Sequence, residues 1–424
     1  GVRAGHFPPA GGCSLRRYPG RTDPAAGPAG GQRVPATNRP QTQETPVSAP
    51  LPLYMCGGSR GISVLVSSPV KTKTTGTLAQ GCLSFFVFSG QRKIIYLYFC
   101  RNFTTQYFTI MDYRFSGNSG LQLPLVSLGL WHNFGSEDPY DVARNMLLHA
   151  WDKGVTHFDI ANNYGPAPGT AEMTFGRVLR EDLASHRDEM IIASKAGYWG
   201  WDGPYGNGGS RKYMIASCDQ SLKRTGLEYF DIFYSHRYDP QTPIEETMQA
   251  LVDIVRAGKA LYVGISNYPA DKQKEAYDYL HAAHVPCVIS QYKASIAFQD
   301  NLNNNLPVAQ ENGSGFICFS PLAQGLLTDR YLNGIPAGSR ASKNVYLRPE
   351  QVTDEAVARA QRLGALAAER GQTLAQMAIS WLLAKDVTSV IIGASSVKQL
   401  DDNLQAINNI AFTPEELHRI AEIG

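Results

Sequence analysis

The feature that most restricts the fold is a run of short apolar segments alternating with helix-like stretches from residue 111 onward. The segments are Ser127–Leu130, Thr156–Ile160, Met190–Ser194, Asp231–Ser235, Leu261–Ile265, Cys287–Gln291, Gly315–Phe319 and Ser389–Ile392, mostly 25 to 40 residues apart. An apolar run that does not alternate with polar residues suits a strand covered on both faces, as in a parallel sheet with crossover helices. Eight such runs in a body of 314 residues predict an α/β fold, a (β/α)8 TIM barrel. The domain boundary is expected at 110/111.

Three of the runs end in chemistry. Thr156–Ile160 runs into a loop carrying Asp159 and Tyr164, Met190–Ser194 delivers Lys195, and Tyr229–Ser235 delivers His236. A barrel gathers its strand C-termini at one mouth, so these four groups are expected to converge. A free tyrosine titrates near pH 10, too high for acid–base work at neutral pH. A buried ammonium beside it should lower that value, and a carboxylate beside the ammonium should keep the lysine charged. The expected order is Asp159 paired with Lys195, Lys195 bonded to Tyr164, and His236 orienting a carbonyl from the other side. Singly, each has a plainer explanation, as a loop aromatic, a satisfied strand-end histidine or a structural ion pair. Their occurrence at successive strand ends is what favours the catalytic one.

Helix punctuation supports the alternation. Ala171–Arg180 places Phe175, Val178 and Leu179 on one side, and Ser210–Arg224 stops before Gly226, a usual residue past a helix end. Thr242 reads as a cap, with Pro243, Glu245 and Glu246 in the first turn. Val397–Asn408 and Pro414–Ile423 read as closing helices. Asp300–Pro307 reads as a poor helix, because proline in a helix interior costs about 3 kcal/mol.

Charge divides the chain. Residues 1–110 hold 12 Lys+Arg and two acids, Asp23 and Glu44, whereas 111–424 hold 27 Lys+Arg and 35 Asp+Glu. An acidic body gives no reason to expect a nucleic-acid partner. Residues 1–60, rich in Gly, Pro, Ala and Arg, are expected to be disordered. The apolar runs within 82–110 are too short to span a bilayer, which needs about 20 residues. Met111 is the expected natural start, with 1–110 a non-native leader. An organelle-targeting leader is the alternative, since the segment bears arginine and almost no acid. Cys218, Cys287 and Cys318 are expected to be reduced core residues, and no Cys/His spacing suggests a metal site, so a reducing, cytoplasmic setting is expected.

Longer motifs carry a family resemblance. Phe158-Asp-Ile-Ala-Asn-Asn-Tyr-Gly, Ser194-Lys-Ala-Gly, Tyr234-Ser-His-Arg, Val263-Gly-Ile-Ser-Asn, Phe319-Ser-Pro-Leu-Ala-Gln-Gly-Leu-Leu-Thr and Ile392-Gly-Ala-Ser resemble the aldo-keto reductase superfamily. Leu130-Trp-His-Asn-Phe-Gly, Tyr164-Gly-Pro-Ala-Pro-Gly, Gly208-Gly-Ser-Arg-Lys-Tyr and Ala260-Leu-Tyr-Val-Gly-Ile-Ser are similar to its glyceraldehyde-3-phosphate reductase branch, which neighbours the potassium-channel beta subunits. The resemblance implies a reductase of small, including phosphorylated, aldehydes or ketones. Tyr164 is then the general acid, with Asp159, Lys195 and His236 in support and NADPH as hydride donor. It places Ser266, Asn267 and Gln291 on the nicotinamide amide and Phe319 at the ring face. Ser320, Leu322, Gln324 and Gly325 lie in a loop around the pyrophosphate, and Gly393, Ser395, Gln399, Asp402 and Asn403 at the adenine end. No G-x-G-x-x-G follows a strand, so a Rossmann domain is not supported.

Many reductases hold the 2′-phosphate with a lysine and an arginine where this chain has Gly393 and Gln399. Arg330, Arg340 and Lys343 in the loop after the seventh strand are the candidate replacements. The loop Gly197–Gly209, with four aromatics, and Trp131 (assigned also to the cofactor side) are candidate pocket walls. Between Gln291 and Gly313 the family's aromatic-Asn and Arg-Trp pattern is missing. The alternative function is a channel-associated or other regulatory subunit holding NADPH as a redox sensor. The resemblance weighs against it through His236, where channel subunits generally carry asparagine. No membrane partner is expected, and a homo-oligomer is compatible with the sequence.

Overall fold

The computed structural model describes residues 111–424 except Val345, together with the backbone of three strands that pair antiparallel in order, Ser63–Val66, Leu83–Ser89 and Lys93–Phe99. The disorder expected of residues 1–60 lies outside the described residues, and so, apart from those three strands, does the leader expected over 1–110.

Eight parallel strands close into a barrel. In chain order they are β1 (Val126–Gly129), β2 (His157–Asp159), β3 (Ile191–Ala196), β4 (Phe230–Ser235), β5 (Ala260–Ser266), β6 (Cys287–Lys293), β7 (Gly315–Phe319) and β8 (Ser389–Ile392), each paired with its neighbours and β8 with β1. The (β/α)8 expectation is met, with the last two strands at the expected bounds and the other strand ends within two residues of theirs. Crossover helices cover the outside: α1 (Tyr140–Asp152), α2 (Thr170–Val178), α3 (Arg211–Thr225), α4 (Ile244–Arg256), α5 (Ala270–Ala282) and α6 (Asp300–Glu311). A short α7 (Arg340–Lys343) is followed by α8 (Asp354–Glu369), α9 (Leu374–Leu383), α10 (Val397–Leu404) and α11 (Pro414–Ile423).

Two local expectations are corrected. Helix α4 starts one residue later than its punctuation suggested, with Pro243 at the cap and the acids Glu245 and Glu246 in the first turn. Helix α6 forms despite Pro307 in its interior. Tertiary contacts outweigh propensity there. Leu302, Leu306 and Ala309 are buried, Asn305 Nδ2 donates to Tyr268 O (3.0 Å) and Gln273 Oε1 (2.7 Å), and Asn301 Nδ2 donates to Lys293 O (2.8 Å). In proteins most helix stability comes from such packing.

The lumen is filled by Ala193, Ile232, Tyr234, Ile289, Ile317 and Ile391, and Leu123 packs into the same cluster. Leu123 belongs to a hairpin, Tyr113–Phe115 with Gln122–Pro124, which precedes β1 and which the sequence reading missed. Arg114 Nη1 ties it to Leu383 O (2.9 Å) and Val387 O (2.7 Å), and Ser116 Oγ to Val288 O (2.8 Å). The N-terminal end of the barrel is thereby plugged, and chemistry is left to the other end. Behind the wall, Glu172 of α2 is fully buried, accepting from Ser194 Oγ (2.6 Å) and pairing with Arg224 Nε (2.6 Å) of α3. Cys218, Cys287 and Cys318 are free and buried.

Two predictions follow from the lumen. At Gly264, beside an irregularity in the β5–β6 register, an added Cβ would press into the Tyr234 ring and lie 3.0 Å from Ile289 O. Gly264→Ala should destabilise by about 1–3 kcal/mol, read as a lower midpoint in thermal or urea unfolding; an unchanged midpoint contradicts this packing. His157 lies fully buried on Ser127 Oγ (2.9 Å), and burial, with Lys195 adding to it, pushes its pKa down to about 4. A depressed histidine binds its proton in the unfolded chain first, so its contribution is present above about pH 6.5 and is lost as pH falls toward 4. Unfolding free energy should therefore drop over that window, with a shallower slope in His157→Gln.

Candidate active site

Asp159 closes β2 and is held from two sides. Its Oδ2 accepts from Lys195 Nζ (2.7 Å), and its Oδ1 from Gln291 Nε2 (2.9 Å). Since β2 and β6 are four strands apart in an eight-strand barrel, the second bond crosses the lumen. The fully buried ammonium also donates to Ile160 O (2.7 Å) and to Tyr164 Oη (3.2 Å), so all three of its donors are used. A buried charge without such partners would neutralise itself by a pKa shift.

Tyr164 reaches the lysine through a tight loop. Its N–H donates to Ala161 O (3.1 Å), while its carbonyl accepts from Gly169 N (3.2 Å) and Ala171 N (3.3 Å). Gly165 turns with φ 85°, and a Cβ there would collide with Thr170 Oγ1. Asn162 fastens the loop twice, its N–H on Lys195 O (3.0 Å) and its Nδ2 on Tyr213 Oη (2.8 Å) of α3. Asn162 and the Glu172–Arg224 pair escaped the sequence reading. Their only signals were an asparagine beside a polar strand end and a carboxylate on an otherwise apolar helix face.

His236 follows β4 and is buried, its N–H on Ala196 O (2.8 Å) and its ring edge-on to Tyr164 (centroids 5.7 Å) and Tyr198 (4.7 Å). Burial first, then Lys195 and Arg237, hold its pKa well below the usual value, so the ring is neutral. Its Nδ1 is buried and has no partner. The expected acidification of the phenol is corrected. Burial, then Asp159 and Tyr198, hold the Tyr164 pKa well above 10, and burial lowers that of Lys195 against the opposing Asp159. The phenol therefore carries its proton across the ordinary pH range. Asp159, Tyr164, Lys195 and His236 are brought together at one mouth.

The residues assigned to the cofactor lie on or after strands β5 to β8, in α10 and, for Trp131, after β1. Ser266 is buried and accepts from Asn267 Nδ2 (3.0 Å), which also reaches His236 O (3.1 Å) from a left-handed backbone (φ 56°). The Gln291 amide, expected on a ligand amide, has one N–H committed to Asp159. Phe319 ends β7 and packs against the lumen cluster. The following loop turns through left-handed Ser320, Ala323, Gln324 and Gly325 (φ 57°, 47°, 64° and 103°), with half-buried Leu322 beside them. Such turns make concave rows of backbone N–H groups that suit anions.

Arg340 Nη1 donates to Gln324 Oε1 (2.7 Å), bringing a cation to this loop, whereas Arg330 is exposed outside it. Trp131 packs tilted against His132 and edge-on to Tyr346 (centroids 4.2 and 4.5 Å). Gly393 is exposed with open space beside it, and Ser395 N and Oγ both reach Gln399 Oε1 (2.9 Å each). Asp402 pairs with Lys398, and the Asn403 Nδ2 is buried with no partner. In the β3 loop Trp201 packs on Tyr213 (4.9 Å), while Tyr198, Trp199 and Tyr205 are exposed. Among the described residues, no His/Cys/Asp/Glu group could hold a metal, and no helix is long and apolar enough to cross a membrane.

The aldo/keto reductase family pattern matches residues 125–424. An Escherichia coli O157:H7 protein named L-glyceraldehyde 3-phosphate reductase is 53% identical over 317 residues, 73% of this chain and 91% of that protein. A probable voltage-gated potassium channel subunit beta of Arabidopsis thaliana is 35% identical over 320 residues, 74% and 96% of the two chains. A putative one of Schizosaccharomyces pombe is 35% identical over 330 residues, 74% and 93% of the two chains. With an eight-stranded barrel, a converged strand-end site and these matches, the chain belongs to the aldo/keto reductase family and is an oxidoreductase acting on carbonyl groups.

Proposed function

We propose that the chain is an NADPH-dependent reductase of small aldehydes and ketones, phosphorylated ones included, with Tyr164 as proton donor. The observation that carries this reading is the Asp159–Lys195–Tyr164 chain of contacts, 2.7 and 3.2 Å, facing a neutral His236. The residues present fit a dinucleotide. The left-handed β7 loop offers a concave rim, Arg340 adds a positive charge, and the orphaned Asn403 Nδ2 awaits an acceptor. Ser266, Asn267, Phe319, Ser395, Gln399 and Asp402 would complete its site. When bound, the cofactor supplies hydride to the carbonyl carbon.

The protein's own part is the proton. Tyr164 Oη donates to the carbonyl oxygen as negative charge develops there, and an alkoxide is a stronger base than a phenolate, so a phenol with a raised pKa still transfers downhill. Lys195 stabilises the phenolate left behind, with Asp159 holding the ammonium charged. His236, being neutral, can hydrogen-bond the carbonyl through a ring nitrogen without adding a second cation beside Lys195. The same donors, preorganised in a water-poor site, are aimed at developing charge.

Tyr164→Phe should cut aldehyde-dependent NADPH oxidation by about 10²–10⁴-fold, with NADPH affinity by fluorescence titration largely kept. Normal turnover by the variant removes the mechanism. With methylglyoxal or glyceraldehyde the wild type should show many turnovers; a single turnover per protein would favour a redox-sensing regulatory subunit instead. Arg340→Gln should raise KM for NADPH about tenfold while leaving NADH nearly unaffected, since a charge-assisted contact to the 2′-phosphate is present in only one of them. Equal changes for both nucleotides would place the guanidinium elsewhere.

A further inference from the structure

Lys293 is the last residue of β6, and nothing in the proton relay or the cofactor assignments employs it. Strand alternation puts it on the face of Ile289 and Gln291, and Ile289 lies in the lumen cluster while Gln291 reaches across the lumen to Asp159. Lys293 therefore stands two residues closer to the open mouth than Gln291. It lies on the wall opposite β2, whose loop carries Tyr164. Its backbone is fixed there: Lys293 is in register with Phe319, its carbonyl accepts from Asn301 Nδ2 (2.8 Å), and Ala294 N donates to Phe319 O (3.1 Å).

The ammonium is half-buried and rests on the Phe298 ring, 3.5 Å from its centroid. No ion pair joins it to any carboxylate among the described residues. Its pKa is lowered by burial alone, with no acidic group opposing that shift. By contrast, Arg237, beside His236 after β4, is committed to Gly197 O (2.8 Å) and Asn207 Oδ1 (3.1 Å). An ammonium drawn out of water on an aromatic face, without a counter-ion, gains most from a compact anion.

We infer that Lys293 is a specificity-determining residue that binds the phosphate of a short phosphorylated aldehyde whose carbonyl oxygen sits at Tyr164 across the mouth. This rests on the reductase reading above and names the group that would select among its substrates. The phosphate chemistry has two sources, the substrate's monoester or the cofactor's pyrophosphate. The left-handed β7 loop already offers backbone N–H groups to the second, and Arg340 is assigned to the 2′-phosphate, so the substrate is favoured.

The test compares wild type, Lys293→Gln and Lys293→Arg with glyceraldehyde and glyceraldehyde 3-phosphate. The ratio of kcat/KM, phosphorylated over unphosphorylated, should fall about tenfold or more in Lys293→Gln. The fall should lie mainly in KM, be partly restored in Lys293→Arg, and shrink for the wild type at high salt. An unchanged ratio, with the wild type active on both aldehydes, overturns this inference and leaves the reductase reading standing. A matching loss in NADPH affinity by titration assigns the ammonium to the cofactor and likewise overturns it. A wild type that turns over neither aldehyde overturns both.

Discussion

A single buried ammonium organises the functional end of this barrel. Lys195 lies fully enclosed, and a charge so placed would be expelled or neutralised unless each of its donors found an acceptor. Asp159, Ile160 O and Tyr164 Oη supply the three. Their positions follow from that demand: β2 must end where the carboxylate meets β3, and the next loop must fold back tightly enough to bring a phenol within reach. The loop glycines, the Asn162 bonds and the Gln291 amide all serve this geometry.

A second layer restrains the lysine from outside. Ser194, its neighbour on β3, is bound to Glu172, and Glu172 is paired with Arg224. Breaking such a buried pair on one side typically costs about 3–5 kcal/mol, more than a surface pair could contribute. The strand that presents Lys195 is thus clamped to α2 and α3 by charge as well as by apolar packing. Phe175 and Val178 bury on the inner side of α2, alongside that carboxylate.

Much of this was legible in the sequence because it is periodic or local. Eight apolar runs were enough for the barrel, and polar residues at strand ends were enough to bring Asp159, Tyr164, Lys195 and His236 to one mouth. The rest needed three dimensions. Helix α6 looked poor because Pro307 is a local penalty, while the compensating bonds of Asn301 and Asn305 come from distant segments. The direction of the phenol's pKa was misjudged for a related reason. The lysine's proximity could be inferred from motif order, whereas the extent of enclosure and the reach of Asp159 could not. Gln291 reads as a ligand contact in the motif, and the bond by which one N–H of its amide holds Asp159 from the far wall could not be read there.

The hairpin ahead of β1 decides from which side the barrel can be entered. With Leu123 seated among the lumen side chains, the barrel is a cup instead of a tube. Access to the buried strand ends is left to one doorway. Whatever reaches the Asp159–Lys195–Tyr164 chain must come in over the loops that follow the strands, never from beneath them.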